Sequence, residues 1–422
     1  MLAGFENNTY GEKQQMYILF FLMAFNIAAG PVHAADIFMI GYIAYKVVKR
    51  SGKINIQKKW LWIFLIPVVT VAAVIGIKTV FWKEIPNADS FWFVFKIVLA
   101  AIYSYGFFQI GNEHKKYSYN ILLIIVCMPL AVNILMYLSP QINAFLTGLY
   151  GVTPFPNSSR FGGIYGKDVN NLGLYATLVM ITGYMFRKEH ASNFFLFAAS
   201  ELLGLANIIL CGMRAGLIAL VICICIQSVF TLNDERRFVI YAKQIRIYFR
   251  YLLVGIIAFF IFLKFGGILF SDSLMESVLS RFSVEGLFID FFGAKEGKGN
   301  LYIIGHYFMS QMAKCRNDSI LFGYDTSVGC VDILFGEIFL RYGMTGIMVL
   351  GIFCIQAFVY AIEKKKRNMY IFWILFSVII SLKGIFILDS RYIFLTAYFC
   401  CCFIPETGQD RGRIYFCQDG WT

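Results

Sequence analysis

Charge is scarce in this sequence: only 15% of its 422 residues are Asp, Glu, Lys or Arg, against roughly a quarter in ordinary soluble domains. No low-complexity tract, internal repeat or polar linker divides the chain, so residues 1–422 read as one domain. The eleven cysteines show no Cys-x-x-Cys pair and no Cys/His spacing suited to a metal, which excludes the usual zinc modules. A basic n-region and a small-residue cleavage site are lacking before the apolar run at Met16, so that run is expected to stay as membrane helix. The Gly-rich stretch at 160–173 lacks the Gly-Lys-Ser/Thr of a phosphate-binding loop.

What is present is apolar. Hydrophobic residues make up 59%, aromatic residues 18%, and mean hydropathy is +0.68, which predicts an all-α polytopic membrane protein. Windows able to span a bilayer fall at 61–81, 91–110, 119–138, 171–186, 193–211, 215–232, 251–270, 332–360, 369–388 and 392–404. The stretch from Met16 to Val48 is interrupted by Gly30-Pro31 and reads as one kinked span or a tight pair, giving 11 or about 12 transmembrane helices. Most cysteines, such as Cys223, Cys225 and Cys400 to Cys402, lie in these runs as small apolar side chains. Cys315 and Cys330 share the longest polar connection and form a candidate disulfide.

The net charge of +12 would suggest nucleic acid in a soluble protein, but here it concentrates on alternate short connections, which argues against a nucleic-acid partner. Residues 49–59, 115–116, 187–188, 236–250 and 364–367 carry most of the loop bases, and the positive-inside rule puts them in the cytoplasm. The opposite connections, including the long ones at 139–170 and 271–331, are then extracytoplasmic; long ordered loops over a bundle usually carry function. Within the second, residues 301–315 place Ile304, Phe308 and Met312 at helical spacing and are expected to lie along the interface. Near that same face, Lys78, Lys96, Lys264 and Lys383 fall within about two turns of helix ends, joined by Arg214 and Arg391. Such a belt suits an anionic lipid head-group, although each lysine alone is more simply an interfacial anchor.

Three blocks could carry chemistry. The first, Arg160-Phe161-Gly162-Gly163 through Lys167-Asp168 to Gly173, runs from glycines into a helix start, a natural anion site; its alternative is a plain glycine turn. The second, Cys211-Gly212-Met213-Arg214-Ala215-Gly216, pins an arginine in a minimal turn, where its donor fork matches phosphate geometry or simply anchors the helix. The third runs from Gly323-Tyr324-Asp325 to Asp332 and on to Gly343-Met344-Thr345-Gly346; in it Glu337 and Arg341 stand i, i+4, as an internal salt bridge or as part of a site.

In this order and on this topology, the three blocks resemble the O-antigen polymerase and O-antigen ligase superfamily of bacterial envelope glycan assembly, over the second half to two-thirds of the chain. The resemblance implies twelve spans in the bacterial cytoplasmic membrane, both termini inside, and a glycosyltransferase that polymerises lipid-linked repeat units of O-antigen, capsule or exopolysaccharide. Family ligases carry His-Asn where Val331-Asp332 stands here, which favours polymerase over ligase. The family's arginine near 301–305 is also missing, and His306 and Arg316 are the candidates to replace it.

Such a reaction must stabilise charge on a departing polyprenyl diphosphate and deprotonate an acceptor sugar hydroxyl. Arg160, Arg214 and Lys167 are the charge-stabilising candidates; Asp168, Asp332 and His306 compete as base. Lys167, Arg341, Glu337, Arg391 and Lys383 are the candidates for holding the diphosphate lipid. No cofactor or metal is called for, since the lipid diphosphate is already the leaving group. The expected partners are the lipid-linked oligosaccharide and the bilayer, with a chain-length regulator and a flippase as further candidates. The rival from another class is a lipid-linked oligosaccharide flippase working by alternating access.

Overall fold

The apolar windows fold as helices wherever the structure describes them. This computed structural model describes residues 14–25, 27–29, 32–49, 58–82, 91–113, 118–151, 161–165, 169–188, 193–213, 215–230, 320–323, 334–363, 367–381 and 389–402. In chain order the helices are α1 (Gln14–Ala24), α2 (Ala34–Lys49), α3 (Lys58–Trp82), α4 (Trp92–Glu113), α5 (Tyr119–Leu138), α6 (Pro140–Tyr150), α7 (Val169–Lys188), α8 (Phe194–Cys211), α9 (Ala215–Phe230), α10 (Leu334–Glu363), α11 (Arg367–Ser381) and α12 (Ser390–Cys401). Among the described residues, five helices are long and apolar enough to cross a membrane: α3, α4, α5, α8 and α10. The window at 251–270, the segment 301–315, Lys264, and Cys315 with Cys330 lie outside the described residues.

One open alternative is resolved and one expectation changes. The stretch from Met16 to Val48 is a pair of helices, α1 and α2, joined by a hairpin in which β1 (Ala28–Ala29) pairs antiparallel with β2 (Val32–His33). The chain therefore reverses between Ala29 and Val32, the tight pair rather than the single kinked span. The connection 139–170 also holds a helix of its own, α6, started by Ser139, whose Oγ accepts from the Ile142 N–H, and by Pro140 at the first helical position; Gly151 ends it at φ 61°. Phe145 and Leu149 of α6 are 69% and 70% exposed, as suits a helix at an apolar interface.

The centre of the bundle is α7. Leu172, Leu174 to Ala176, Leu178, Val179 and Ile181 have no accessible surface, with α5, α8, α9 and α12 packed around the helix. Its glycines, asparagines and threonines make it less apolar than its neighbours, yet it is buried along most of its length. Close packing of small residues, rather than apolar character, holds such a helix among its partners: a Cβ on Gly173 would collide with Met213.

Two apolar cores result. The larger joins α1, α2, α4, α5, α7, α8, α9, α11 and α12; in it the Phe394 ring meets Phe20, Tyr103 and Phe107 edge-on at 5.0 to 5.1 Å. The smaller joins α3, α4 and α10 through Val71, Val74, Ile75, Phe93, Ile97, Ile338, Tyr342 and Val349. Among the described helices only α4 belongs to both, so the seam between the cores runs along α4. The start of α4, the hairpin, the 3-10 turn Gly163–Tyr165 and the starts of α7, α10 and α12 gather at one end of the bundle, the crown.

Candidate functional site at the crown

Helix α10 is broken near its start. Gly343 sits at φ 65°, ψ −158°, a conformation essentially restricted to glycine, and it packs directly on Gly323, itself at φ 86°. The backbone groups released by the break find partners. Lys78, buried near the end of α3, donates its Nζ to the Arg341 carbonyl at 2.6 Å. The N–H groups of Met344 and Thr345 reach the carbonyls of Ile320 and Leu321 at 2.8 and 3.1 Å, and Thr345 Oγ1 bonds Leu321 O at 2.7 Å. One turn earlier, Arg341 Nε meets Glu337 Oε1 at 2.5 Å. Glu337 is buried, so the i, i+4 pair anticipated from sequence is an internal ion pair. Gly323 and Gly343, one from each motif, thus make a glycine-on-glycine contact beside the point where Ile320 and Leu321 cap the broken helix.

A turn from Phe93, whose ring lies 5.6 Å from that of Tyr342, begins a second cluster. Lys96 of α4 donates to Ser390 Oγ at 3.2 Å. Asp389 caps α12: Oδ1 accepts the Arg391 N–H and Nε at 2.8 Å each, and Oδ2 accepts Nη2 at 2.7 Å. This bidentate fork leaves Arg391 Nη1 buried and without a hydrogen-bond partner among the described residues. The Arg391 guanidinium stands over the Tyr165 ring at 4.7 Å and that of Tyr175 at 5.7 Å. Burial pushes the Asp389 carboxyl up, but the charge and hydrogen bonds of Arg391, with Lys96 beyond, hold it down at about 2.

From α2, Asp36 completes the cluster. It is 2% exposed; one oxygen accepts the backbone N–H of His33 at 3.0 Å, closing the start of α2, and the other accepts the Tyr103 hydroxyl. The charges of Asp36, Asp389, Lys96 and Arg391 all reach His33, while the ion pair here is that of Asp389 with Arg391. The 3-10 turn that carries Tyr165 is fixed from α5, where Asn133 Oδ1 accepts the Ile164 N–H at 3.0 Å.

Below Lys96, along the seam between the cores, lies a cavity of about 200 Å³. Its walls come from α3, α4, α10, α11 and α12, and they are mostly apolar, with Lys96, Ser104, Ser377, Tyr392 and Thr396 as polar members; Ala100, Ile97, Val349 and Phe353 typify the rest. Lys96 is the charged residue of its lining. An apolar cavity of roughly 150 Å³ already holds a benzene-sized guest, so this one has room for part of an aliphatic tail whose polar end meets Lys96.

Of the site residues named from sequence, the structure describes Glu337, Arg341 and Arg391, all near the crown and each in an internal ion pair. Arg160, Lys167, Asp168, Arg214, His306, Asp332 and Lys383 lie outside the described residues. Their described neighbours do converge: the Phe161 N–H donates to Leu210 O at 2.9 Å, which joins the chain beside position 160 to the helix end that leads to position 214. Sequence reasoning missed Asp36, His33, Tyr103, Tyr165 and Asp389. The available signal was a lone acid in an apolar run, as at Asp36, which marks a functional or tightly paired group by default. No group of three or more His, Cys, Asp or Glu among the described residues is placed to hold a metal ion. No protein-family model matches this chain, and no curated protein sequence matches it.

Proposed function

We propose that this protein polymerises lipid-linked oligosaccharide repeat units at the outer face of the bacterial cytoplasmic membrane, passing a growing glycan from a polyprenyl diphosphate to a sugar hydroxyl on a second lipid-linked unit. The observation that carries the reading is the apolar cavity ending at Lys96 beneath a cluster of buried charge. A polyprenyl diphosphate is an amphiphile of that shape: its tail would lie along the seam, its diphosphate by Lys96 and the spare Nη1 of Arg391, and its glycan beyond the crown. Arg160, Arg214 and Lys167 would add charge stabilisation from the connections above, with Asp168, Asp332 and His306 as base candidates. The described helices other than α6 run alternately toward and away from the crown, in keeping with twelve spans once 251–270 is counted.

The second reading, a lipid-linked glycan flippase, is favoured by the broken helix α10, since broken helices mark the substrate sites of many transporters. Here, however, the ends at the break are capped by Lys78, Ile320 and Leu321, and the break lies beside the crown. Vesicles containing the protein and a fluorescent polyprenyl-diphosphate oligosaccharide separate the two. Longer saccharides together with free polyprenyl diphosphate support the polymerase; movement of unaltered lipid between leaflets, without chain growth, supports the flippase and contradicts our reading.

A further inference from the structure

The acceptor hydroxyl must lose a proton, and around Lys96 the crown holds three described groups that could take it, Asp36, Asp389 and His33; Glu337, beside the break in α10, is already paired with Arg341. Asp389 has both oxygens engaged by Arg391 and is held at about 2, so it is a poor acceptor. Asp36 likewise has both oxygens engaged, one by the His33 backbone and one by the Tyr103 hydroxyl. The imidazole of His33 differs. Its backbone is fixed by Asp36 at the end of the hairpin, whereas no hydrogen bond engages its ring nitrogens among the described residues, and the side chain is only half-buried.

Resting on the polymerase reading, we infer that His33 is the general base of the glycan transfer. The acceptor oxygen bonds to the anomeric carbon of the donor glycan. The bond from that carbon to the diphosphate oxygen breaks, its electron pair leaving on the diphosphate. The hydroxyl proton passes to the free ring nitrogen of His33 and from there to water before the next cycle. Lys96, which lines the cavity and lies within electrostatic reach of His33, stands where the departing charge collects.

The groups that face His33 are Asp36 from α2, Lys96 from α4, and Asp389 and Arg391 at the start of α12. Burial lowers its pKa; Asp36 and Asp389 oppose this, Lys96 and Arg391 add to it, and the result lies below the ordinary value of 6.5. The ring is therefore neutral, and able to accept a proton, at neutral pH. Turnover should rise through the pKa of His33 as pH increases and level off above it.

The experiment measures initial rates of chain growth by purified protein on a synthetic polyprenyl-diphosphate repeat unit, from about pH 5 to 8, with binding of the donor lipid measured alongside. His33→Gln should lose about 10²-fold or more in kcat, lose the acidic limb and keep donor binding. Lys96→Met removes a neighbouring positive charge, so its acidic limb should move to higher pH. A His33→Gln enzyme with the wild-type rate and limb overturns the assignment, as does a limb that stays put or moves down in Lys96→Met; the latter decides the question even if His33→Gln fails to fold. A wild-type protein that makes no polymer at any pH sinks the polymerase reading itself, and this role with it.

Discussion

The backbone N–H of Phe161 donates to the carbonyl of Leu210 at 2.9 Å, so the glycine-rich connection and the turn after α8 share one corner of the crown. Arg160 precedes the first of these residues and Arg214 follows the second by four positions. If both arginines hold one diphosphate, their effects on donor binding are coupled. The double alanine variant should then fall short of the sum of the singles by about 0.5–3 kcal/mol, the range for residues that share a partner. Titration of a polyprenyl-diphosphate sugar at fixed salt measures this. Strict additivity would assign the two residues to separate sites.

The ion pair of Asp389 with Arg391 is buried, so removing one partner leaves the other charge stranded. Asp389→Asn should cost about 3–5 kcal/mol, and Asp389→Asn with Arg391→Met should recover part of that loss. Thermal unfolding in detergent gives the comparison, and a double variant no more stable than the single would contradict it. Because the Asp389 carboxyl is held at about 2, below its unfolded value, the pair's contribution is complete above that unfolded value and is lost as pH falls through about 2. The deficit of Asp389→Asn should therefore be constant between about pH 5 and 8.

Gly343→Ala tests the helix break. An added Cβ would stand 2.5 Å from Leu321 O, and alanine does not adopt φ 65°, ψ −158° without strain. The expected loss is at least about 1–3 kcal/mol, against a gain of about 0.5–1 kcal/mol for Gly351→Ala on the same helix, where nothing lies within 4 Å and alanine is the better helix former. Equal unfolding temperatures for the two variants would mean that α10 straightens at no cost.

How much of this was legible in the sequence differs by element. Helix α5 appears at 119–138, as its apolar window predicts, because a bilayer-length run leaves few alternatives. Helix α6 was read as loop: Ser139 and Pro140 look like turn residues, yet in this position they start a helix. The charged cluster is illegible for a different reason. Lys96 and Ser390 are 294 residues apart, and Tyr103 and Asp36 are 67 apart, so helix packing alone brings them together. The lysines and arginines of the anticipated cationic belt were legible individually, but their partners were not: Lys78 serves the Arg341 carbonyl and Arg391 serves Asp389. The glycines at 323 and 343 were legible as motifs, while their contact required the break in α10 to be seen.

The most direct measurement of the central claim compares wild type with Ala100→Trp, a change that fills the cavity below Lys96 without replacing a charged group. Purified protein and a single synthetic polyprenyl-diphosphate repeat unit are incubated, and products are separated by mass. The account predicts that wild type yields a ladder of longer glycans with one polyprenyl diphosphate released per linkage formed, and that folded Ala100→Trp loses donor binding and ladder together. A wild-type protein that leaves the lipid intact, or an Ala100→Trp variant that binds and extends it as wild type does, would contradict it.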